Sequence, residues 1–195
     1  MLYQEVVEKW QEMEKKHPDF LTIIPNFVDD PISANVSVKC GNEECKFFYA
    51  ELTNKKYNNS AKPTVLFVGG FHGDERLGPN IVTELCATLL ENKHVTPIKE
   101  FLENNLILLK PMVNPYGYYH QGRMEETNGI FVDINRDFNY NVDKDKHCFQ
   151  SKGARALAEI YKNYLVQLGI TFHGGDNVLS WPWGSMNHLL NGNTH

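Results

Sequence analysis

The stretch TVLFVGGFHGDERLGPN, Thr64 to Asn80, begins as a continuous apolar run and ends at the threshold of a helix. Val65 to Val68, then Gly69-Gly70, then the helical pattern of NIVTELCATLLEN together describe a strand buried on both faces that feeds a crossover helix. That places the chain in the α/β class. The theme recurs in NNLILLKPMV, a second buried strand ending at Asn114-Pro115, and in Ile170-Thr-Phe, a third that delivers His173. The expected architecture is a mixed, largely parallel sheet flanked by helices.

The flanking segments are read from period and punctuation. Val6 to Lys16 forms a helix with Val6, Trp10 and Met13 on one face, stopped by His17-Pro18. Strands are expected over Phe20–Ile24, Ile32–Val38 and, after the Gly41-Asn42 turn, Lys46–Leu52. Tyr116 to Cys148 shows no regular pattern. Ser151 to Leu168 reads as a helix with Ala154, Leu157, Ile160, Tyr161, Tyr164 and Leu165 on its core face and Gly169 as its cap. No repeat, linker or low-complexity tract divides the 195 residues, so one domain is expected over residues 1–195.

Composition narrows the function classes. Hydrophobic residues make up 42% of the chain and charged residues 22%, which is ordinary globular material. The formal charge of -5, with Lys and Arg scattered, gives no basic stripe for nucleic acid. No apolar run is long enough for a membrane helix, and the charged N-terminal helix does not resemble a signal peptide, so a soluble monomer is expected. The compartment stays open, because the sequons at Asn35 and Asn58 matter only in a secreted chain. Cys40 and Cys45 in CGNEEC could form a local disulfide, act as thiols, or be plain loop residues. No second Cys or His pair completes a zinc knuckle there.

In open α/β sheets, ligands gather outside the carboxyl ends of the strands. Three such ends carry chemistry here: His72 with Glu75, the Asn114–Arg136 segment, and His173. Two imidazoles and a carboxylate are three ligands that leave a zinc ion one open position. By itself His-x-x-Glu is also consistent with a strand cap and a carboxylate in the first turn of a helix.

The surroundings resemble the zinc carboxypeptidases. GGFHGDERLG resembles the family's first ligand motif, NPYGY its Asn-Pro-Asp-Gly-Tyr loop, GIFVDINRDFN its Val-Asp-Leu-Asn-Arg-Asn-Phe segment and TFHGGDNVLSWPWG its third-ligand strand. The last is closer to the carboxypeptidase N/E branch than to the digestive branch. The resemblance implies a single zinc ion held by His72, Glu75 and His173, with Asp133 behind the first histidine. It implies that Asn135 and Arg136 grip the terminal carboxylate of a peptide or protein substrate. Arg123 would polarise the scissile carbonyl, although a solvated loop cation is the bland alternative for it. The family's general base is a glutamate well downstream of the third ligand, so its equivalent is expected beyond His195, and the chain is read as an incomplete catalytic domain.

Two positions depart from the family pattern. Tyr116 stands where the loop has Asp, and Asp137 stands where the clamp segment has its second Asn. Asp137 is expected to place negative charge beside the carboxylate clamp, weakening it or favouring a basic substrate. Trp181 and Trp183 could wall a cleft or pack in a core. Other functions weighed were an α/β serine hydrolase, which needs a Gly-x-Ser-x-Gly elbow that does not occur, a zinc amidase for N-acyl amino acids, and an inactive zinc-binding relative.

Overall fold

The computed structural model describes residues 1–27, 36–57, 62–138 and 148–180, and the backbone of 189–190 and 193–194. The elements in chain order are α1 (Tyr3–Lys16), β1 (Leu21–Pro25), β2 (Lys39–Cys40), β3 (Glu43–Glu44), β4 (Phe48–Leu52) and β5 (Thr64–Gly69). Then follow α2 (Leu77–Glu91), α3 (Ile98–Asn104), β6 (Leu106–Lys110), α4 (Pro115–His120), β7 (Glu125–Thr127) and β8 (Ile130–Val132). The series closes with α5 (Lys152–Asn163), β9 (Val166–Phe172), β10 (Leu189–Leu190) and β11 (Asn193–Thr194).

Five strands form the central sheet in the order β1-β4-β6-β5-β9. β5 lies parallel to both β6 and β9, while β4 runs antiparallel to β1 and β6. The sheet is therefore mixed, as expected, with its parallel half at β6-β5-β9.

Alternation along the strands sorts the core into two layers. Ile107 and Leu109 of β6 face the layer that includes α1 and α2, where Trp10 packs edge-on to Phe48 and donates its Nε1–H to Thr83 Oγ1 at 3.0 Å. Leu66, Val68 and Leu108 face the opposite layer and meet Ala154, Leu157 and Ile160 of α5. Helices thus cover both faces, which is why β5 and β6 read as continuous apolar runs.

Several boundaries differ from the sequence reading. The last helix ends at Asn163, because Tyr164 adopts an extended conformation and its hydroxyl donates to Glu51 Oε1 at 2.7 Å on β4. Gly169 does not cap this helix. It lies within β9, opposite Leu66. Nor is β9 buried: it takes an edge of the sheet, with Leu168 52% exposed. Of the strand expected over Ile32–Val38, residues 32–35 lie outside the described residues and 36–38 are not strand; pairing falls instead on the β2–β3 hairpin. Asn35, Asn58, Trp181 and Trp183 also lie outside the described residues.

In the Tyr116–Cys148 segment, the described residues 116–138 are more ordered than their pattern suggested. They contain most of α4, the β7–β8 hairpin and a 3-10 turn over Ile134–Arg136. The hairpin closes through Asn128-Gly129, both at positive φ, the backbone that a two-residue type I′ turn requires.

Of the three readings of Cys40 and Cys45, the structure shows the disulfide, which closes the β2–β3 hairpin. Closing so short a loop stabilises by about 2 kcal/mol in the chain-entropy account. Replacing both cysteines by serine is expected to lower unfolding free energy by about that amount, measured by denaturant titration. An unchanged midpoint would show that the hairpin is held by its packing alone.

Candidate metal centre

β5 ends at Gly69, and the chain then turns sharply through Gly70, at φ +67, to present His72. The next residue must be glycine, because a Cβ at Gly73 would sit 1.9 Å from the Gly117 carbonyl carbon at the start of α4. This contact lets the His72–Glu75 turn fold tightly against α4. On the neighbouring strand β9, Phe172 is followed by His173, whose ring stacks on Phe71 with centroids 5.5 Å apart. The parallel register, with Gly69 opposite Phe172, brings the two strand ends level.

The donors converge on Glu75. Its Oε1 lies 2.7 Å from His72 Nδ1 and its Oε2 lies 2.7 Å from His173 Nδ1, while Gly174 donates its N–H to Oε2 at 3.0 Å. One ligand atom from each of His72, Glu75 and His173 falls within 4.8 Å of the others, so the three form a group able to hold a metal ion. Burial raises the Glu75 carboxyl pKa, but the Gly174 N–H and the two imidazoles outweigh it and hold the group below its ordinary value.

Behind the group, His72 Nε2 faces Asp133 Oδ1 at 3.2 Å. The set fits zinc: two imidazoles, one carboxylate, and a carboxylate against the far nitrogen of the buried histidine that fixes its ring. Burial raises the Asp133 pKa, yet His72 and Arg123 pull it below the usual carboxylate value.

Arg123 is not a free loop cation. Its Nε donates to Asp133 Oδ2 at 3.1 Å and its Nη1 lies 3.6 Å from Glu75 Oε1. Its backbone is fixed as well, since the Arg123 carbonyl accepts from Asn114 Nδ2 at 3.0 Å and from the Gly73 N–H at 3.3 Å. Asn135 and Arg136 follow Asp133 in the 3-10 turn, and Arg136 is exposed and donates to the neighbouring Asn135 carbonyl at 3.0 Å. Six of the seven residues singled out from the sequence thus lie in or next to one group, and Arg136 adjoins it through the backbone of the turn.

Asp137 behaves differently from expectation. Its carboxylate is buried and spent on α5, accepting from the N–H groups of Gln150 at 2.9 Å and Ser151 at 2.7 Å and from Ser151 Oγ at 2.6 Å. It is a structural anchor of the segment that carries Asn135 and Arg136. Glu125, missed in the sequence, does the same for the Arg123 loop by accepting from the N–H groups of Lys152 at 2.6 Å and Gly153 at 3.0 Å. The Asn-Gly turn was the available signal for the hairpin that carries Glu125, but not for its partner.

The chain belongs to the zinc carboxypeptidase family: the family model of that description matches residues 42–194. Among curated proteins, it is similar to carboxypeptidase SOL1 of Arabidopsis thaliana, 26% identical over 68% of this chain and 27% of that protein. It is 29% identical to carboxypeptidase M of Mus musculus over 62% of this chain and 29% of that protein. The chain therefore spans less than a third of the length of these relatives. Among solved structures, thrombin activatable fibrinolysis inhibitor superposes with a TM-score of 0.72 at 14% identity, covering 96% of this chain and 52% of that one. Carboxypeptidase A of Helicoverpa armigera gives a TM-score of 0.69 at 18% identity, covering 90% and 46%. These likenesses extend the family's fold to the central sheet described above.

Glu125 supplies a pH signature. Burial is the main cause that pushes its carboxyl up to about 7, against the hydrogen bonds from Lys152 and Gly153 and with help from nearby Asp137. The folded state then holds a proton that the unfolded chain releases at an ordinary carboxyl pKa, so this group's contribution is complete below pH of about 4.5 and declines as pH rises through about 7. Stability compared between wild type and Glu125→Gln across that interval should show this decline only in the wild type. Parallel curves would disprove the assignment.

Proposed function

We propose that the chain forms part of a zinc-dependent carboxypeptidase that hydrolyses the C-terminal peptide bond of peptides or proteins. The observation that carries this reading is the convergence of His72, Glu75 and His173 at the carboxyl ends of two parallel strands. Residues 1–195 are read as belonging to one catalytic domain.

In this reading the three residues hold zinc, which when bound supplies a Lewis acid for the scissile carbonyl and makes water more acidic. Asp133 holds the His72 ring in the tautomer that offers Nδ1 to the ion. Arg123, tied to Asp133 and 3.6 Å from Glu75, would steady negative charge growing on the carbonyl oxygen. Asn135 and Arg136 receive the substrate's free carboxylate, and the solvent exposure of Arg136 leaves its guanidinium open for two parallel hydrogen bonds. Both carboxylates of the group, Glu75 and Asp133, are engaged with imidazole and guanidinium partners. The general base is therefore assigned to neither. The Cys40–Cys45 bond suits a protein that works in an oxidising compartment, and no described helix is long and apolar enough to cross a membrane.

Zinc stoichiometry by metal analysis tests the centre directly. His72→Ala is expected to lose the ion, and Asp133→Ala to weaken zinc binding about 10- to 100-fold while leaving one site per chain. Undiminished zinc in His72→Ala would sink the proposed centre. For the exopeptidase assignment, Arg136→Ala should lower kcat/KM on peptides with a free C-terminus roughly 10- to 100-fold. Equal turnover of C-terminally amidated peptides by the unaltered protein would contradict it.

A further inference from the structure

The β7–β8 hairpin has two faces with different tasks. Glu125 and Thr127 are buried, with Glu125 bonded to α5, whereas Glu126 and its cross-strand partner Phe131 share the other face. That outer face meets α4. Tyr116 donates its hydroxyl to Glu126 Oε2 at 2.7 Å, and the acidic partner pushes the Tyr116 pKa up to about 12. Between hairpin and helix lies an open cleft of about 450 Å³ lined by Tyr116, His120, Gly122, Arg123, Met124 and Phe131.

The walls of this cleft are built and apolar. The Tyr116 ring is fixed at its hydroxyl end by Glu126 and lies 4.3 Å from His120, centroid to centroid. His120 is held in turn by the Lys39 carbonyl at 3.2 Å and by Tyr119 at 4.9 Å. Opposite them, Met124 is 42% exposed and Phe131 65% exposed, large apolar side chains on a hairpin whose inner face is already packed. Arg123 belongs to both places: it lines the cleft, and its Nη1 lies 3.6 Å from Glu75. Arg123 is thus a wall shared by the cleft and the metal group.

From this shared wall we infer that the cleft binds an aromatic side chain of the substrate, on the residue just before the scissile bond. The inference rests on the carboxypeptidase reading, in which Arg123 stands at the scissile carbonyl and the preceding residue falls within reach of the cleft that Arg123 walls. Tyr116 and Phe131 offer ring faces and edges, Met124 a polarisable sulfur, and Arg123 a flat cation, and each of these prefers an aromatic ring to an alkyl group. The tyrosine that departs from the family's loop pattern thereby becomes a specificity element.

Calorimetric titration with short acetylated dipeptides tests this without requiring turnover. N-acetyl-phenylalanyl-glycine should bind about tenfold more tightly than N-acetyl-alanyl-glycine, as expected for partly burying one aromatic side chain. The exposed positions permit mild variants: Phe131→Ser and Met124→Ser should each bring the two affinities closer. Equal affinities in the unaltered protein, no binding of either peptide, or a preference that survives both variants would overturn the inference. The C-terminal amides of the same two peptides separate the two readings. A phenylalanine preference shared by acids and amides, with no gain from the free carboxylate, would keep the cleft and sink the exopeptidase assignment. A carboxylate gain without phenylalanine preference would sink the cleft alone.

Discussion

Five consecutive N–H groups at the start of α5 organise the site-bearing loops. Gln150 and Ser151 donate to Asp137, Lys152 and Gly153 to Glu125, and Ala154 to the Ser151 hydroxyl. A helix start leaves such donors without intrahelical partners and favours negative charge nearby. Here the two carboxylates that answer them come from segments carrying the candidate chemistry: Asp137 directly follows Arg136, and Glu125 lies two residues after Arg123. One helix end thus holds both backbone segments that carry the cationic side chains. Loss of either carboxylate would leave buried N–H groups unpaired, costing about 1–3 kcal/mol each.

The metal group depends on a second constraint, the level ends of β5 and β9. Register places His72 three residues beyond Gly69 and His173 one beyond Phe172, the residue paired with Gly69. The tight Gly70–Gly73 turn absorbs this difference and brings the two ring centroids to 5.1 Å. Because the turn also packs backbone to backbone against Gly117, α4 is coupled to the ligand geometry. Asn114 completes the link, since its side chain accepts from Gly117 N–H at 2.7 Å and donates to the Arg123 carbonyl. A slip in any of these three elements would be felt at Glu75.

What could be read from the sequence follows from how local each determinant is. β5 and β6 were legible because burial on both faces leaves an unbroken apolar run; His72 and Glu75 were legible because they follow such a run, and His173 because it follows the short stretch Ile170-Thr-Phe. The boundary between α5 and β9 was not, because Tyr164, Leu165 and Leu168 continue a helical period that tertiary bonding to Glu51 and Tyr49 overrides. β9 itself lacks the buried pattern, since it occupies an edge. The β7–β8 hairpin carried its signal in Asn128-Gly129, but Glu125 gains its meaning from an amide 27 positions away. Asp137 was placed in the right motif and given the wrong duty for the same reason.

The electrostatics of the group explain why it suits an ion better than a proton network. Glu75 accepts from two imidazoles and a backbone N–H, and Asp133 faces a third ring nitrogen while pairing with Arg123. A ring nitrogen that donates to Glu75 cannot also offer its lone pair to a cation, so a zinc ion held here would have to displace both protons. Asp133 makes that exchange feasible for His72, because a proton held on Nε2 toward Asp133 leaves Nδ1 free. His173 has its other ring face covered by Phe71 and no second carboxylate among its described bonds, so its orientation depends on packing. The two histidines are thus held by different physics, one by charge and one by a stacked ring. The His72 ring is tied through Asp133 to the Arg123 loop, and the His173 ring through Phe71 to the end of β5.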